Sequence, residues 1–133
     1  MLQDQNNITY ELIDGNIHRI KLHNNTRQTV DDLFVKVTEI NKLAKPDERV
    51  LYLFDSGEIN DLPFRYLIQF SEKWRKEQEH IAPAYNAILY TTNMMMRFMV
   101  NVLVEVSKKS GAESRIFHPD DCAEAITWLK SDT

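Results

Sequence analysis

The chain has 133 residues, 43% apolar and 27% charged. A chain this size buries roughly two-thirds of its unfolded surface, which excludes a disordered or fibrous protein. Lys and Arg total 16 against 20 Asp and Glu, a net charge of -4, so there is no basic surplus to hold phosphates and nucleic acid is not an expected partner.

Taken in chain order, Met1-Leu2-Gln3-Asp4-Gln5-Asn6-Asn7 has neither a basic segment nor an apolar one of the kind that opens a secretory leader. The expectation is a cytoplasmic protein, a single domain over residues 1–133. Cys122 is the only cysteine, which excludes an intramolecular disulfide and any multi-cysteine zinc site and fits a reducing compartment. The N-x-T sequons at Asn7 and Asn24 are then chance.

Ile8 to Ile13 and Asn16 to Leu22 are β-rich runs joined by Asp14-Gly15, the pair that a type I′ turn needs because both central positions have positive φ. Thr29 with Asp32 reads as a capping box opening a helix with Val30, Leu33, Phe34, Val37, Ile40 and Ala44 on one face, stopped by Pro46. Val50 to Phe54 is a continuous apolar run, the pattern of a parallel strand covered on both faces, and Asp55-Ser56-Gly57 ends it. Asn60 or Asp61 caps a second helix with Pro63 in its first turn and Phe64, Leu67, Ser71 and Trp74 facing inward. The basic residues Lys73, Arg75 and Lys76 alternate with Glu72, Glu77 and Glu79, the pattern of a solvated helix face. Ala84 to Thr91 reads as a buried strand, Asn93 to Ser110 as a helix closed by Gly111, Ser114 to Phe117 as a short strand, and Pro119 to Lys130 as a last helix. The apolar run from Met94 to Val106 carries Arg97, Asn101 and Glu105, well short of the ~20 apolar residues of a membrane span.

The order β-β-α-β-α-β-α-β-α predicts an α/β fold with a mixed, mostly parallel sheet, right-handed crossovers and helices on both faces. Two features carry a resemblance. One is the ending Arg115-Ile116-Phe117, the acidic start Asp120-Asp121, and Ala123-Glu124-Ala125-Ile126-Thr127-Trp128-Leu129; the other is the element order from Ile8 to Lys130. Together they resemble the STAS fold of anti-sigma-factor antagonists, and more closely the small bacterial SpoIIAA-like group described as STAS/SEC14-like. The resemblance implies a regulatory or scaffolding domain that acts through partner contacts, and on its SEC14 side a carrier of a small apolar, lipid-like molecule. It also implies a phosphorylation site, because phosphorylatable STAS proteins carry a serine in an Asp-Ser-Ser-Gly stretch. Asp55-Ser56-Gly57 is similar but lacks the second serine, and Glu58-Ile59-Asn60-Asp61 intervenes before the helix. A phosphate on Ser56 would face Asp55, Glu58 and Asp61, which repel it.

Ligands of open α/β sheets bind beyond the carboxyl ends of the strands. Those ends offer Asp55 and Ser56, then Thr91, Thr92 and Asn93, then His118. Free amides at a helix start near Asn93 suit an anion or a carbonyl oxygen, but capping alone also explains these residue types. Ser56, His118 and an aspartate suggest a hydrolase only superficially, since no G-x-S-x-G elbow is present. His18, His23, His80 and His118 show no metal-ligand spacing. No catalytic residue, metal or cofactor is therefore expected.

Four of the five methionines, Met94, Met95, Met96 and Met99, cluster in the third helix. Asn93, Arg97, Asn101, Glu105 and Lys108 form one polar stripe there, and the apolar remainder is wider than one sheet covers. Methionine fills irregular or exchangeable contacts, so this helix is either well-buried core, the seam of a homodimer, or the wall of an apolar ligand pocket. The expected function is non-catalytic binding or regulation through a homodimer or a regulatory protein partner. A carrier of a small apolar ligand and a phosphoswitch at Ser56 are the alternatives.

Overall fold

A computed structural model of the protein describes residues 7–45, 47–57, 59, 62–90, 101–102, 104–106, 108–109 and 111–131. Strands β1 (Ile8–Ile13) and β2 (Ile17–Leu22) form the expected hairpin. Asp14 and Gly15 sit at φ 53° and 80°, as a two-residue turn of this type demands, and Asn16 N donates to Ile13 O at 3.2 Å. Helix α1 (Arg27–Leu43), strand β3 (Val50–Asp55), helix α2 (Phe64–Glu77) and strand β4 (Ala84–Leu89) follow. Residues 101–102, 104–106 and 108 are helical, and Gly111 at φ 80° closes that segment. Strand β5 (Ala112–Phe117), a 3-10 turn (Pro119–Asp121) and helix α3 (Cys122–Lys130) follow.

Several boundaries differ from expectation, among them β2, which starts at Ile17 rather than Asn16, β4, which ends at Leu89 rather than Thr91, and β5, which starts at Ala112 rather than Ser114. The cap of α1 is Thr26 rather than Thr29: the Thr26 side chain accepts from Thr29 N, while Thr29 is turned inward and 1% exposed. Both threonines have the right spacing, but Asn24 favours the first, because its carboxamide oxygen accepts from Thr26 N, Thr26 Oγ1 and Thr29 Oγ1. The asparagines of both sequons belong to this network, Asn24 donating to Asn7 Oδ1 and Asn7 to Asp32 Oδ2. Pro63 is the residue before α2 rather than within its first turn, and its carbonyl accepts from Leu67 N. The last helix starts as a 3-10 turn and becomes α-helical only at Cys122. Pro46, Asn60 and Asp61 lie outside the described residues.

The sheet runs β1-β2-β3-β4-β5, with β1 antiparallel to β2 and the other pairs parallel. Right-handed crossovers that always step to the next strand in the same direction leave their helices on one face. Accordingly α1, α2 and Val104 of the helical segment before β5 pack on one face, over Ile20, Leu22, Val50, Tyr52 and Ala84. Helix α3 lies on the opposite face, where Ala125 and Leu129, both fully buried, meet Leu51, Leu53, Ala87 and Leu89. The expected mixed sheet with helices on both faces is thus observed, with the crossover helices on one side. Among the described residues no helix is long and apolar enough to cross a membrane.

Candidate ligand cavity

The strand registers line up His18, Tyr52, Asn86 and Ser114 as neighbours across four strands. Alternation along a strand sends every second residue to one face, and this row points toward α1 and α2, between apolar rows such as Phe54 with Ile88 and Val50 with Ala84. A polar row therefore crosses the floor of the larger core.

Above the floor, α1 contributes Leu33, Phe34, Val37 and Asn41, and α2 contributes Phe64, Leu67, Ser71 and Trp74. The two helices are held together by rings, Phe34 stacking on Phe70 at 4.9 Å and tilting against Trp74 at 5.9 Å between centroids. Trp74 Nε1 also donates to Thr38 Oγ1 at 2.8 Å. Between helices and floor lies an apolar cavity of about 160 Å³, which Val106 of the segment before β5 also lines. An apolar cavity of roughly 150 Å³ stays dry and admits a benzene-sized molecule.

Most polar groups on the cavity wall are already engaged. Asn41, 4% exposed, donates to His80 O at 2.9 Å and accepts from Ala82 N at 3.0 Å, pinning the connection between α2 and β4 onto α1. Ser71 Oγ donates back to Leu67 O, and Ser56 Oγ donates to Leu89 O at 2.7 Å. Asn86 is engaged at one end. Its Nδ2 donates to Ser114 Oγ at 3.2 Å, while its Oδ1 is buried without a hydrogen-bond partner.

At the outer end of the row, Tyr10 OH and His18 Nδ1 are 2.7 Å apart and their rings stack at 5.9 Å. Burial lowers the His18 pKa, opposed by the nearby Glu48 carboxylate, so the ring that shares this hydrogen bond with Tyr10 is neutral. Burial likewise raises the pKa of Tyr10, and more strongly that of Tyr52, so both phenols stay protonated. A second, more polar hollow of about 470 Å³ opens beside Tyr10, His18, Lys36 and Glu48. Two of its charged groups have near partners, Lys36 with Glu39 at 3.0 Å and Arg49 with Tyr85 OH at 2.9 Å.

The carboxyl ends of the strands are less assembled than their sequence suggests. Asp55, 6% exposed, accepts from Arg19 Nη2 at 2.7 Å on the α3 face, and this hydrogen bond raises the pKa of the guanidinium. Ser56 is 3% exposed and begins an ordinary Asp-Ser-Gly turn, with its carbonyl accepting from Ile59 N. His118 Nδ1 accepts from Asp120 N at 3.1 Å and caps the turn that follows. Strand β4 separates Ser56 from His118, about 10 Å at the usual strand spacing. Asp55 and Ser56 are thus adjacent but face different partners, and His118 joins neither. Thr91, Thr92 and Asn93 lie outside the described residues, as do Met94, Met95, Met96 and Met99. Among the described residues no group of three His, Cys, Asp or Glu is placed to hold a metal ion.

Asn86 and Ser114 were not among the expected site residues. The available signal was an asparagine inside Ala84-Tyr85-Asn86-Ala87-Ile88-Leu89, a run that otherwise reads as covered on both faces. A polar side chain there needs a partner or a role. Comparisons with models of known families, with curated proteins and with solved structures found no match to this chain.

Proposed function

We propose that this protein is a non-catalytic binding module that holds a small apolar molecule between its sheet and helices α1 and α2. The observation that carries the reading is the apolar cavity of about 160 Å³. Its wall is apolar and partly open to solvent, and covering apolar surface is favourable. An exchangeable apolar occupant would cover that wall. The reading agrees with the SEC14-like side of the sequence resemblance, in which the STAS-like domain works by holding a ligand.

The phosphoswitch reading is less well supported. A kinase would have to draw out a serine that is 3% exposed and bonded to Leu89 O.

Native mass spectrometry of freshly purified protein is expected to find a bound apolar species that organic extraction releases. After extraction, toluene is expected to perturb the amide resonances of β4 and α2. Ser71→Leu, which fills the cavity from α2, is expected to abolish that perturbation while leaving the far-ultraviolet circular dichroism unchanged. Protein that is repeatedly empty and indifferent to toluene overturns the reading.

A further inference from the structure

Strand β5 is an edge of the sheet: it pairs with β4, and among the described residues no strand pairs with its other side. Along a strand the backbone N–H and C=O of successive residues point alternately to the two neighbours. Tyr90 N donates to Phe117 O at 3.0 Å, so Phe117, and with it Arg115 and Glu113, turns its backbone groups toward β4. Ala112, Ser114 and Ile116 turn theirs outward. An open edge of this kind is a template for another strand.

The side chains specify which strand fits. Glu113 and Arg115 are exposed on the face where α3 covers β3 and β4. Neither has an ion-pair partner among the described residues. An antiparallel copy of β5 with its two-fold axis at Ser114 sets Ser114 opposite Ser114, Ala112 opposite Ile116 and Glu113 opposite Arg115 of the second copy. The first two kinds of pair are those whose backbone groups point outward, so each exchanges both N–H···O bonds. The Glu–Arg pairs fall at the intervening sites, where side chains approach most closely. Two-fold symmetry makes that contact twice. On the opposite face Ala112 and Ile116, half-buried in one copy, cover each other. Moving the axis by one residue keeps the backbone bonds but brings Glu113 against Glu113, or Arg115 against Arg115, and like charges directly opposite are destabilising. Charge therefore selects one register among those the backbone allows. The other edge of the sheet has no such match, because the only charged residue of β1 is Glu11.

We propose that β5 is the seam of a homodimer, in which the strands of two copies pair antiparallel about Ser114 and join the two sheets into one. Sedimentation of the intact protein across a concentration series is expected to show a reversible equilibrium between monomer and dimer. Glu113→Arg and Arg115→Glu each place like charges opposite one another, and each is expected to raise the dissociation constant about tenfold. Mixed in equal amounts, the two variants are expected to dimerise with each other, since each arginine of one then faces a glutamate of the other. In the unmodified protein, hydrogen exchange at the Ser114 and Ile116 amides is expected to slow as concentration rises, while the Glu113 and Arg115 amides, which face β4, do not respond. A chain that stays monomeric at every concentration overturns the proposal. So does a dimer indifferent to both substitutions and without protection at Ser114 and Ile116, because its contact then lies elsewhere.

Discussion

Asn41 and His18 show how single polar residues are put to structural use in this core. Asn41 satisfies two backbone groups from the connection before β4, His80 O and Ala82 N, and the second is buried. Asn41→Ala leaves both without a partner, and the expected destabilisation is about 2–3 kcal/mol. Urea unfolding reads it as a lower midpoint at unchanged slope. His18 has a sign that can be checked. Burial holds its pKa below the ordinary 6.5, so under acid conditions the unfolded chain takes up a proton that the folded chain refuses. Its contribution is therefore complete above pH 6.5 and is lost as the pH falls from there toward the lowered folded value. His18→Gln keeps a hydrogen-bonding group for Tyr10 but has no titrating ring. The variant is expected to lose less stability than the unmodified protein between pH 7 and pH 5, measured by urea midpoints at each pH.

Among the elements, those set by local chemistry were legible in the sequence. The Asp14-Gly15 turn needs only its own two residues, and β1 appears over the expected span. The inward face of α2 also follows from spacing, with Phe64 and Leu67 buried and Ser71 and Trp74 on the cavity wall. What depends on other elements was not legible. The choice of Thr26 over Thr29 as a cap is made by Asn24, and the meaning of Asn86 depends on which residues of β3 and β5 lie beside it. Hydrophobic periodicity describes a strand's two faces but not its neighbours. Helix α3 has a clear energetic part: among the described elements it is the helix that covers β3 and β4 on their second face, through Ala125 and Leu129. Leu129→Ala is expected to cost about 3 kcal/mol, within the range for fully buried leucines. Thermal unfolding followed by Trp128 fluorescence would report it, since Trp128 tilts against Tyr85 and Phe117 at 5.4 and 5.9 Å.

On the scale of the whole molecule, the distribution of helices decides where a ligand can lie. Crossover helices crowd one face, and the gap between them and the floor is the apolar cavity. On the other face α3 packs on β3 and β4, and the neighbouring strands carry a charged group instead, with Arg19 reaching both Glu11 and Asp55. The sequence indicated helices on two faces. Their uneven division follows from strand order, which no local pattern encodes.

That strand order also has a temporal meaning. Every strand pairs with the one made just before it, so no pairing waits for a distant segment, and loop-closure entropy stays small at each step. As the chain leaves the ribosome, the hairpin, α1 and β3 can assemble while β5 is still unmade. Helix α3 comes last, and its Lys130 reaches back to Asp14 in the first turn of the hairpin. This ion pair joins positions 116 apart in sequence, so the hairpin turn is tied to a helix that is made only after all five strands.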